Sequence, residues 1–411
     1  MAEYDLIVIG GGAAGMMVAG RVAEKGARVL LLEKNNRLGV KLSITGKGRC
    51  NITKAEFDNR KFIENLGKNG KFFFSALYKF GVQDVINFFE SSGLELKTER
   101  GGRVFPKSDQ AKDVVGVLIE YCRENKVKIQ TKAEVIKVAV KNNKIEKIIL
   151  ADGQVLTAKK YAICTGGKSY PGTGSTGEAY AWLAKMGHTV IKPMPALAPV
   201  ITHEKWIKEI EGASLKNVKI AVFQNNKKQD ERFGEALFTG DGMSGPIILD
   251  MSKKIGELLK KGKVEISIDF KPALGFEVLD KRIQQDFLKF KNKMFKNALD
   301  MLLPKKLITV FIKLSDIDEN KKVNSVTKQE RKKIINLLKD FKLKVKRVDD
   351  FNKAIITVGG VALNEIDPKT MRSKIISNLY FAGEILDLDG PTGGFNLQIA
   401  WSTGYTVGDN F

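Results

Sequence analysis

The chain has few of the side chains on which many enzymes and secreted proteins depend. Among its 411 residues there are three cysteines, Cys50, Cys122 and Cys164, which lie far apart and form no C-x-x-C pair. That spacing argues against a disulfide framework, a zinc site and a CxxC redox centre. The chain has only two histidines, His188 and His203, and this small number argues against a His-based triad or metal site. We therefore expect no metal.

Long apolar segments are also lacking. No apolar run approaches the roughly 18 residues that a membrane span requires. The chain enters its first strand within four residues, without a basic region or a cleavage site before it. We therefore expect a cytoplasmic protein with no membrane partner. A hydrophobic content of 43% and a charged content of 28% are typical of globular proteins, and the length suggests two or three domains.

Acidic residues are in short supply, since 47 Asp and Glu face 69 Lys and Arg, giving a net charge of +22. The excess is uneven: residues 281–347 hold 20 Lys or Arg against 7 Asp or Glu, an excess of 13. A basic segment can bind nucleic acid, but it can also be the solvated face of helices. We favour the solvated face, because the segment lacks the interleaved aromatic residues on which bases stack.

The N-terminal thirty residues organise the rest of the chain. Asp5–Ile9 is a short β-branched apolar run that predicts a buried strand, and residues 10–15 fit the pattern G-x-G-x-x-G. Ala14–Lys25 has helical spacing, and Val29–Leu32 predicts a second strand. Glu33 follows at the tip of that strand, 23 residues after Gly10. Strand, glycines, helix and acid together indicate a dinucleotide-binding fold.

Each part of this fingerprint has a physical role. Gly10 allows a tight turn, Gly12 lets the backbone approach a pyrophosphate, and Gly15 lets the helix pack closely on the strand. The helix N-terminus offers free N–H groups and a partial positive charge to the phosphates. The Glu33 carboxylate can accept hydrogen bonds from both ribose hydroxyls of an adenosine.

A second glycine-rich stretch, Thr45–Asn51, follows soon after the predicted ribose site. It combines two glycines, two cations, a thiol and an amide, a composition more typical of a ligand-wrapping loop than of an ordinary surface turn. Arg49 could face a phosphate or a ring, and Asn51 could bond a heterocycle edge. The residues of this loop predicted to bind cofactor are Gly46, Gly48, Arg49, Cys50 and Asn51.

The C-terminal segment carries a third such turn, residues 390–396, followed by an apolar helix over residues 397–408 with small residues at Ala400, Ser402 and Gly404 for close packing. Gly393 and Gly394 precede this helix. A glycine turn at a helix N-terminus presents N–H donors to a ring that gains negative charge, as reduced flavin does at its N1/C2=O edge. We therefore expect this turn to hold a redox ring.

The remaining pattern divides the chain. Prolines at 193, 195 and 199 mark a domain boundary. We expect an α/β fold: a Rossmann-like FAD-binding domain (1–195 and 352–411) with an insert made of a small β-barrel-like domain (196–275) and a basic helical subdomain (276–351). Within the first domain, residues 34–44 predict a loop, and residues 128–156 predict a three-stranded meander.

With both ends considered, the chain resembles the two-dinucleotide-fold flavoproteins, and more narrowly a bacterial family of NAD(P)/FAD-dependent oxidoreductases. The resemblance covers nearly the whole length and rests on motifs that include VIGGGAAGMMVA, TGKGRCN, GRVFP, TGGKSYPGTGSTG, FTGDGMSGP and FAGEILDLDGPTGGFNLQIAWSTG. Some members of this family are described as aminoacetone oxidases and others as reductases of dehydro bile-acid intermediates. The resemblance implies non-covalent FAD, held in an N-terminal domain that the C-terminal segment completes.

It also implies a role for further residues. Ala13, Ala14 and Gly15 would meet the pyrophosphate, Glu33 the adenosine ribose, and Val135 the adenine. The others would flank the dinucleotide (Lys34, Lys41), adjoin the isoalloxazine (Gly46, Arg49, Cys50, Asn51), line its back (Thr165, Gly166, Gly167), meet the ribitol (Gly383, Glu384) or cap the ring (Asn396, Leu397, Gln398). Two positions depart from the family pattern: Lys47 replaces a glycine of G-G-G-R-C-N, and Gly240 stands where relatives often have His.

We expect hydride transfer through flavin N5, with NADH or NADPH as transient reductant and a small or medium organic acceptor such as an enone. Arg49 and Lys47 are the candidates for stabilising charge, and Asp387 or Tyr170 for relaying a proton. No second dinucleotide fingerprint exists, so a nicotinamide would bind transiently at the flavin face. Two alternatives stay open: an oxygen-using amine oxidase, and an RNA-binding or RNA-modifying flavoprotein that uses residues 281–347. The oligomeric state is open as well.

Overall fold

The structure is a computed structural model that describes residues 3–411. It separates into two compact units, residues 3–195 with 354–411, and residues 196–353. The second unit is thus an insert in the first. In the part of the chain that the structure describes, no helix combines the length and apolar character of a bilayer span.

The first unit begins with eleven strands and seven helices. The strands are β1 (Tyr4–Ile9), β2 (Val29–Leu32), β3 (Thr53–Lys54), β4 (Leu96–Glu99), β5 (Arg103–Pro106), β6 (Lys128–Gln130), β7 (Val135–Lys141), β8 (Lys144–Leu150), β9 (Val155–Leu156), β10 (Ala158–Ile163) and β11 (Val190–Ala196). The helices are α1 (Ala13–Glu24), α2 (Val40–Gly48), α3 (Asn59–Glu64), α4 (Gly70–Lys79), α5 (Val82–Ser91), α6 (Ala111–Glu124) and α7 (Glu178–Lys185).

The insert and the returning segment complete the chain. The insert contains β12 (Val200–Thr202), β13 (Ser214–Gln224), β14 (Lys227–Thr239), β15 (Gly242–Ser244), α8 (Pro246–Leu259), β16 (Val264–Asp269), α9 (Phe276–Lys289), α10 (Lys305–Ser315), α11 (Lys328–Lys339) and β17 (Phe341–Val348). The first unit resumes with β18 (Ile356–Val361), β19 (Leu379–Phe381) and α12 (Phe395–Asp409).

The centre of the first unit is a five-stranded parallel sheet in the order β19-β10-β1-β2-β6. Leu6, Ile7 and Val8 are fully buried in β1, as expected for a strand covered on both faces. The chain leaves β1 towards β2 on one side and returns at β10 on the other. This reversal beside β1 creates a crevice at the carboxyl ends of the strands, where open α/β sheets bind ligands. The predicted α/β, Rossmann-like fold is confirmed.

The C-terminal helix completes this unit by packing on the fingerprint helix. A Cβ at Gly404 would lie 2.8 Å from the Ala14 carbonyl and 3.1 Å from the Met17 Cβ, so α12 approaches α1 closely only because this residue has no side chain. Trp401 is buried and donates from Nε1 to the Ile52 carbonyl at 2.9 Å. The small residues predicted to allow close packing of this helix therefore do so at Gly404.

The insert contains a closed barrel in the order β12-β15-β14-β13-β16-β17. Residues 276–351 were expected to be helical, and the expectation is wrong for β17. In this strand Phe341, Leu343 and Val345 are buried and alternate with exposed lysines, a period-two pattern that pairs β17 with β16 and β12. One hydrophobic cluster includes residues of the barrel and of the helices, so the core has no break at residue 275.

Two further expectations for the first unit need correction. The predicted loop at residues 34–44 ends in a helix, because α2 begins at Val40 and packs on α6, where Val115 lies against Gly39. The meander predicted from residue 128 is formed by β7, β8 and β9 alone. Strand β6 instead pairs with β2 and extends the parallel sheet. In both cases tertiary pairing overrides a weak local signal.

A buried polar group fastens α7 to the returning segment. His188 lies with Nδ1 3.1 Å from a Glu365 carboxylate oxygen and Nε2 2.9 Å from the Ser373 hydroxyl. Ser373 is buried and its oxygen also accepts the backbone N–H groups of Ile375 and Ile376. The Ser–His–Glu arrangement is therefore a structural contact and not a hydrolytic triad, since no substrate can reach the saturated hydroxyl.

This contact predicts that the protein loses stability as the pH falls below about 6.5. Burial lowers the pKa of His188 from its ordinary value of 6.5. Below that value the unfolded chain binds a proton that the folded chain does not, so folding is progressively disfavoured. Melting temperatures at pH 7.5 and 5.5 should show a decrease for the natural protein and a smaller one for His188→Gln. An equal decrease in both proteins would contradict the assignment.

Candidate functional site

The crevice beside β1 is shaped by glycines. A Cβ at Gly10 would lie 2.5 Å from the Cys164 carbonyl at the end of β10, and one at Gly15 would collide with the Gly10 carbonyl. A Cβ at Gly12 would meet nothing within 4 Å. Gly12 is the N-cap of α1, and no side chain caps the helix or adds acidic charge to its first turn. The first turn of α1 therefore has no side-chain cap and lies beside open space at Gly12, a combination that suits a phosphate.

Glu33 lies at one side of this crevice and is buried. One carboxylate oxygen accepts the Gly11 N–H at 2.9 Å, and the other accepts the backbone and side-chain N–H groups of Asn35, each at 2.8 Å. The Ala133 N–H donates to the Glu33 carbonyl at 2.9 Å, two residues before the buried Val135. The predicted ribose and adenine residues thus lie on adjoining segments.

The end of β10 forms the other side. Thr165, Gly166 and Gly167 follow Cys164 just after the strand, and the Thr165 hydroxyl is buried without a hydrogen-bond partner in the described residues. A Cβ at Gly166 would lie 3.2 Å from the Ser175 hydroxyl, and one at Gly167 would collide with Thr357. An unpaired buried hydroxyl costs free energy, so a ligand atom is the natural partner.

The loop Thr45–Asn51 emerges from α2 through a kink at Thr45, Gly46 and Lys47. Lys47 is exposed there, with a positive φ of 61°. The Asn51 side-chain oxygen is buried and, within the described residues, has no hydrogen-bond partner. It is the second orphaned polar atom among the residues predicted to bind FAD, and it suits the amide edge of a heterocycle.

Arg49 is held by residues that the sequence did not indicate. Its guanidinium donates to Asp109 at 2.8 Å and to Glu99, and it lies 4.0 Å above the Phe105 ring centroid. Lys97 donates to the same Asp109 at 2.5 Å. Two carboxylates thus neutralise Arg49, and its charge serves to hold the loop against β4 and β5. Any catalytic role of Arg49 stays a prediction.

Cys50 is fully buried beside these residues, and burial raises its pKa to about 12. Cys122 has a pKa raised to about 12 by burial, and the pKa of Cys164 is raised as well. All three thiols are free and buried. Their ordinary role as small hydrophobic residues is therefore sufficient to explain them.

This burial predicts very slow thiol chemistry in the folded protein. At pH 7 a disulfide-exchange reagent should modify the three cysteines roughly a thousand-fold or more slowly than an exposed thiol, because the thiolate is scarce and inaccessible. After denaturation all three should react at once. Rapid modification of Cys50 in the folded protein would instead indicate a reactive thiol, and Cys50→Ala serves as the matched control.

Glu384, which follows β19, is the centre of a charged cluster. One of its oxygens accepts from Lys41 Nζ at 2.7 Å, and the other accepts the Ser169 hydroxyl at 3.0 Å and the Thr357 N–H at 2.7 Å. Lys41 also donates to Ser169 at 2.6 Å. The structure thereby brings together two predicted cofactor residues, and it adds Ser169 and Thr357, which no local signal indicated.

The other predicted lysine is engaged in a different ion pair. Lys34 Nζ lies 2.7 Å from a Glu178 carboxylate oxygen at the start of α7 and 3.0 Å from the Thr176 hydroxyl. The GTGSTG stretch, which ends at Gly177, is thereby tied to the residue that follows Glu33. Lys34 thus connects the segment after β2, where the adenosine ribose is predicted to bind, to the start of α7.

The C-terminal turn presents a second uncapped helix N-terminus. Gly394 is the N-cap of α12, and no side chain caps this helix. The Asn396 side chain instead joins the turn to itself, accepting the Gly390 N–H at 2.9 Å and donating to the Gly390 carbonyl at 2.9 Å. Gln398 is buried and bonds Thr53 at 2.6 Å. These two side chains shape the turn, and the backbone N–H groups at the start of α12 stay the predicted donors to a ring.

The contacts of the remaining predicted residues say less about how a ligand would bind. Gly383 has a positive φ of 79°, and a Cβ there would lie 2.8 Å from the Ala14 Cβ.

Asp387 accepts the Asn69 side-chain N–H at its backbone carbonyl, at 2.6 Å, and at its carboxylate, at 3.2 Å. Tyr170 is half-buried in a tight turn, with its carbonyl accepting from Thr173. Ala13 and Leu397 are each partly buried at the start of their helices, α1 and α12.

Tyr180 on α7 is a residue that the sequence analysis missed. Its hydroxyl is buried and lacks a hydrogen-bond partner among the described residues. Burial, followed by the charges of Glu384 and Asp387, raises its pKa. The only sequence signal is a tyrosine three residues after a glycine-rich turn.

These observations fit a dinucleotide. The glycine at the start of α1 leaves open space, and so does Gly393, where a Cβ would meet nothing within 4 Å. Two helix N-termini lack caps, and two buried polar atoms, on Asn51 and Thr165, lack partners in the described chain. The pyrophosphate, ribose and ring of FAD would supply what each of these groups lacks.

Comparisons with known proteins agree with this geometry. A 3-dehydro-bile acid delta(4,6)-reductase of Clostridium scindens (strain ATCC 35704 / DSM 5676 / VPI 13733 / 19) is 32% identical over 406 residues, which are 98% of this chain and 97% of the relative. A ribosomal RNA dihydrouridine synthase of Escherichia coli (strain K12) is 29% identical over 414 residues, with coverages of 98% and 97%.

Solved structures share the fold at lower identity. A 3-ketosteroid-delta4-(5alpha)-dehydrogenase from Rhodococcus jostii RHA1 aligns with a TM-score of 0.52 and 12% identity, covering 99% of this chain and 98% of that one. A flavocytochrome c3 fumarate reductase in its open conformation aligns with a TM-score of 0.54 and 15% identity, covering 99% and 78%.

A family model described as "HI0933-like protein Rossmann domain" matches residues 4–410. The recognition of a flavoprotein family from the glycine-rich motifs is confirmed, and the chain is an FAD-dependent oxidoreductase. It belongs to the HI0933-like Rossmann family.

Proposed function

We propose that this protein reduces a carbon–carbon double bond conjugated to a carbonyl group, using FAD and either NADH or NADPH. The observation that supports the substrate class is a pair of relatives that each align with 98% of this chain. A 3-dehydro-bile acid delta(4,6)-reductase and a ribosomal RNA dihydrouridine synthase both, by their names, act on such a bond. An enone and a uracil share an alkene polarised by a neighbouring carbonyl. The sequence analysis expects a small or medium organic acceptor, and its example, an enone, is of this class.

When bound, the flavin supplies the hydride, through N5. The chain's own residues do the rest. The uncapped N-terminus of α1 binds the pyrophosphate, and Glu33 and Lys41 position the adenosine ribose and the ribitol. Asn51 bonds the heterocycle. The N-terminus of α12 provides N–H groups and a positive dipole end to the ring edge that gains charge.

A proton must also reach the second carbon of the alkene. Asp387 and Tyr170 are our candidates from the sequence, and Tyr180 joins them because its buried hydroxyl lacks a partner in the described chain. A hydroxyl whose pKa is raised holds its proton firmly until negative charge develops nearby. In this proposal Arg49 fixes the conformation of the loop Thr45–Asn51. Lys47, which is exposed in the same loop, is the cation that stabilises negative charge.

A second candidate is the same chemistry on a uridine of RNA. The specific observation that favours it is charge: the chain carries +22, with an excess of 13 within residues 281–347. A polyanionic substrate gains affinity from such a surface through counterion release. The relatives named for ribosomal RNA span 98% of this chain.

The test is a half-reaction under anaerobic conditions. The purified holoenzyme is bleached with NADH or NADPH, and then receives either a 3-keto-4-ene steroid acid or its saturated counterpart, which differs only in the double bond. The proposal expects rapid return of the yellow flavin spectrum with the enone alone. An RNA fragment rich in unpaired uridine replaces the enone for the second candidate.

Three outcomes would overturn the proposal. A protein that binds no FAD when FAD is offered contradicts the cofactor. A holoenzyme that ignores both nicotinamides but is bleached by an amine and restored by air is an oxidase. Equal rates with the enone and its saturated counterpart contradict the double bond as the reacting group.

A further inference from the structure

Helix α4 adjoins α12, the helix whose N-terminal turn we propose as the site of the flavin ring. Its buried residues Phe73, Ala76 and Leu77 face the interior, and the helix packs on α12. Asn69, immediately before α4, donates to Asp387. The neighbouring α3 contributes Phe62, whose ring lies 4.7 Å from that of Phe395 at the start of α12. The α3–α4 pair is therefore the outer wall of the C-terminal glycine turn.

The outer face of α4 carries two large aromatic rings in solvent. Phe74 is 47% exposed and Tyr78 is 76% exposed. Four residues apart on the helix, their rings lie 6.5 Å apart and are nearly parallel, at 15°. Exposing aromatic side chains of this size to water costs free energy. Two aligned rings also present flat faces on which a third ring can stack.

The same wall is positively charged. Residues 59–79 contain Arg60, Lys61, Lys68, Lys71 and Lys79 against a single acidic residue, Glu64. Arg60, Lys61, Lys68 and Lys71 are exposed and form no ion pair within residues 3–411. Lys71 precedes Phe74 by three residues, so the cation and both rings share one face of α4.

We propose that this face of α4, formed by Lys71, Phe74 and Tyr78, binds the unpaired nucleotides of a single-stranded RNA that presents its base to the flavin. The proposal rests on the second candidate function, reduction of a uridine. Two rings and unpaired cations are the combination with which proteins hold single strands: aromatic faces stack on bases, and lysines contact phosphates. Lys68 and Arg60 extend the positive charge along the wall.

Charge complementarity favours RNA over the other possible occupants. A second copy of this chain would bring another wall of like charge to the same place, on a protein that already carries +22. A phospholipid surface would need a broader apolar face than two rings provide. The basic helices of residues 281–347 can contact phosphates, but the paired rings are on α4, so base stacking belongs here.

The experiment measures binding of a fluorescent oligouridylate to the holoenzyme by anisotropy, at two salt concentrations. Phe74→Ala and Tyr78→Ala are each expected to weaken binding roughly ten-fold. The matched control is Phe233→Ala, which removes an aromatic ring that is 63% exposed on β14 of the insert, and it should leave the affinity unchanged.

Charge is tested in the same assay. The double variant Lys68→Gln with Lys71→Gln should reduce the slope of log affinity against log salt by about 0.7 for each phosphate that the protein no longer neutralises. Lys328→Gln with Lys332→Gln, two exposed lysines four residues apart on α11, is the matched pair in the basic insert. A reduced slope confined to the α11 pair would overturn the proposal, because RNA would then bind through the insert.

Two other results would also overturn it. Unchanged binding in both ring variants would contradict stacking on α4, and a change in sedimentation of those variants without RNA would indicate that a second copy covers the face. Failure of the proposed function is distinguishable, because flavin bleaching by NAD(P)H and flavin recovery with the enone or with the uridine-rich RNA fragment are read separately from binding. An enzyme that reduces the enone but does not bind oligouridylate keeps its function and contradicts this proposal.

Discussion

Gly12→Asp should yield a folded protein that purifies without FAD. Gly12 has an ordinary backbone conformation, with φ −85°, and a Cβ there meets no protein atom within 4 Å. As the N-cap of α1, an aspartate would even stabilise the helix, by a few tenths of a kcal/mol over glycine. It would also place a negative charge where we propose that the pyrophosphate binds. We expect FAD affinity to fall about 100-fold or more, which is ~3 kcal/mol.

The measurement is FAD titration followed by flavin fluorescence, with thermal melting of the FAD-free protein alongside. Gly116→Asp is the matched control, since Gly116 on α6 also has open space around its Cβ but lies on a solvent-exposed position. Gly12→Ala should show an intermediate loss. Full FAD occupancy in Gly12→Asp would mean that the pyrophosphate does not lie at α1.

Alanine substitutions at the two neighbouring glycines of the C-terminal turn should affect stability and FAD binding to different extents. Gly393 and Gly394 both have strongly positive φ, 114° and 107°, so an alanine at either position is strained by about 1–3 kcal/mol. At Gly394 the new Cβ would also collide with the backbone carbon of Thr53, whereas at Gly393 it would point into open space. The collision adds roughly 1–3 kcal/mol.

Gly394→Ala should therefore melt at a clearly lower temperature than Gly393→Ala when both proteins lack FAD. Gly393→Ala should have the larger loss of FAD affinity relative to its loss of stability, because its Cβ enters the space assigned to the ring. Circular dichroism melting and FAD titration of the two variants provide the comparison. Equal melting temperatures, or normal FAD affinity in Gly393→Ala, would contradict this placement of the ring.

Much of the fold was predictable because its signals are local. The apolar strand, the glycines and the helix that follow one another between Tyr4 and Glu24 are each readable from neighbouring residues. The position of Glu33 at the end of β2 was predictable because strand length and helix length determine how far along the chain that end lies. The close packing of α12 was predictable from Gly404, since a residue without a side chain is informative in an apolar helix.

The residues that hold the site in place were not predictable. Arg49 was recognised as a candidate, but the carboxylates that engage it, Glu99 and Asp109, lie 50 and 60 residues away. Lys41 meets Glu384 across 343 residues. A short stretch of sequence cannot reveal such partners, because these residues come together only when separate elements pack. For the same reason β17, far from its barrel partners, was taken for part of a helical region.

The sequence alone determined the family and the dinucleotide fold, and it supplied the segments that we assign to the cofactor, because glycines at turns and period-two or helical spacing act over a few residues. Tertiary structure decided which of those side chains remain free for a ligand. Arg49 is neutralised by Glu99 and Asp109, whereas Asn51 and Thr165 each keep a buried polar atom without a partner in the described chain. Burial and pairing depend on what distant segments bring alongside, and that is a property of the folded chain.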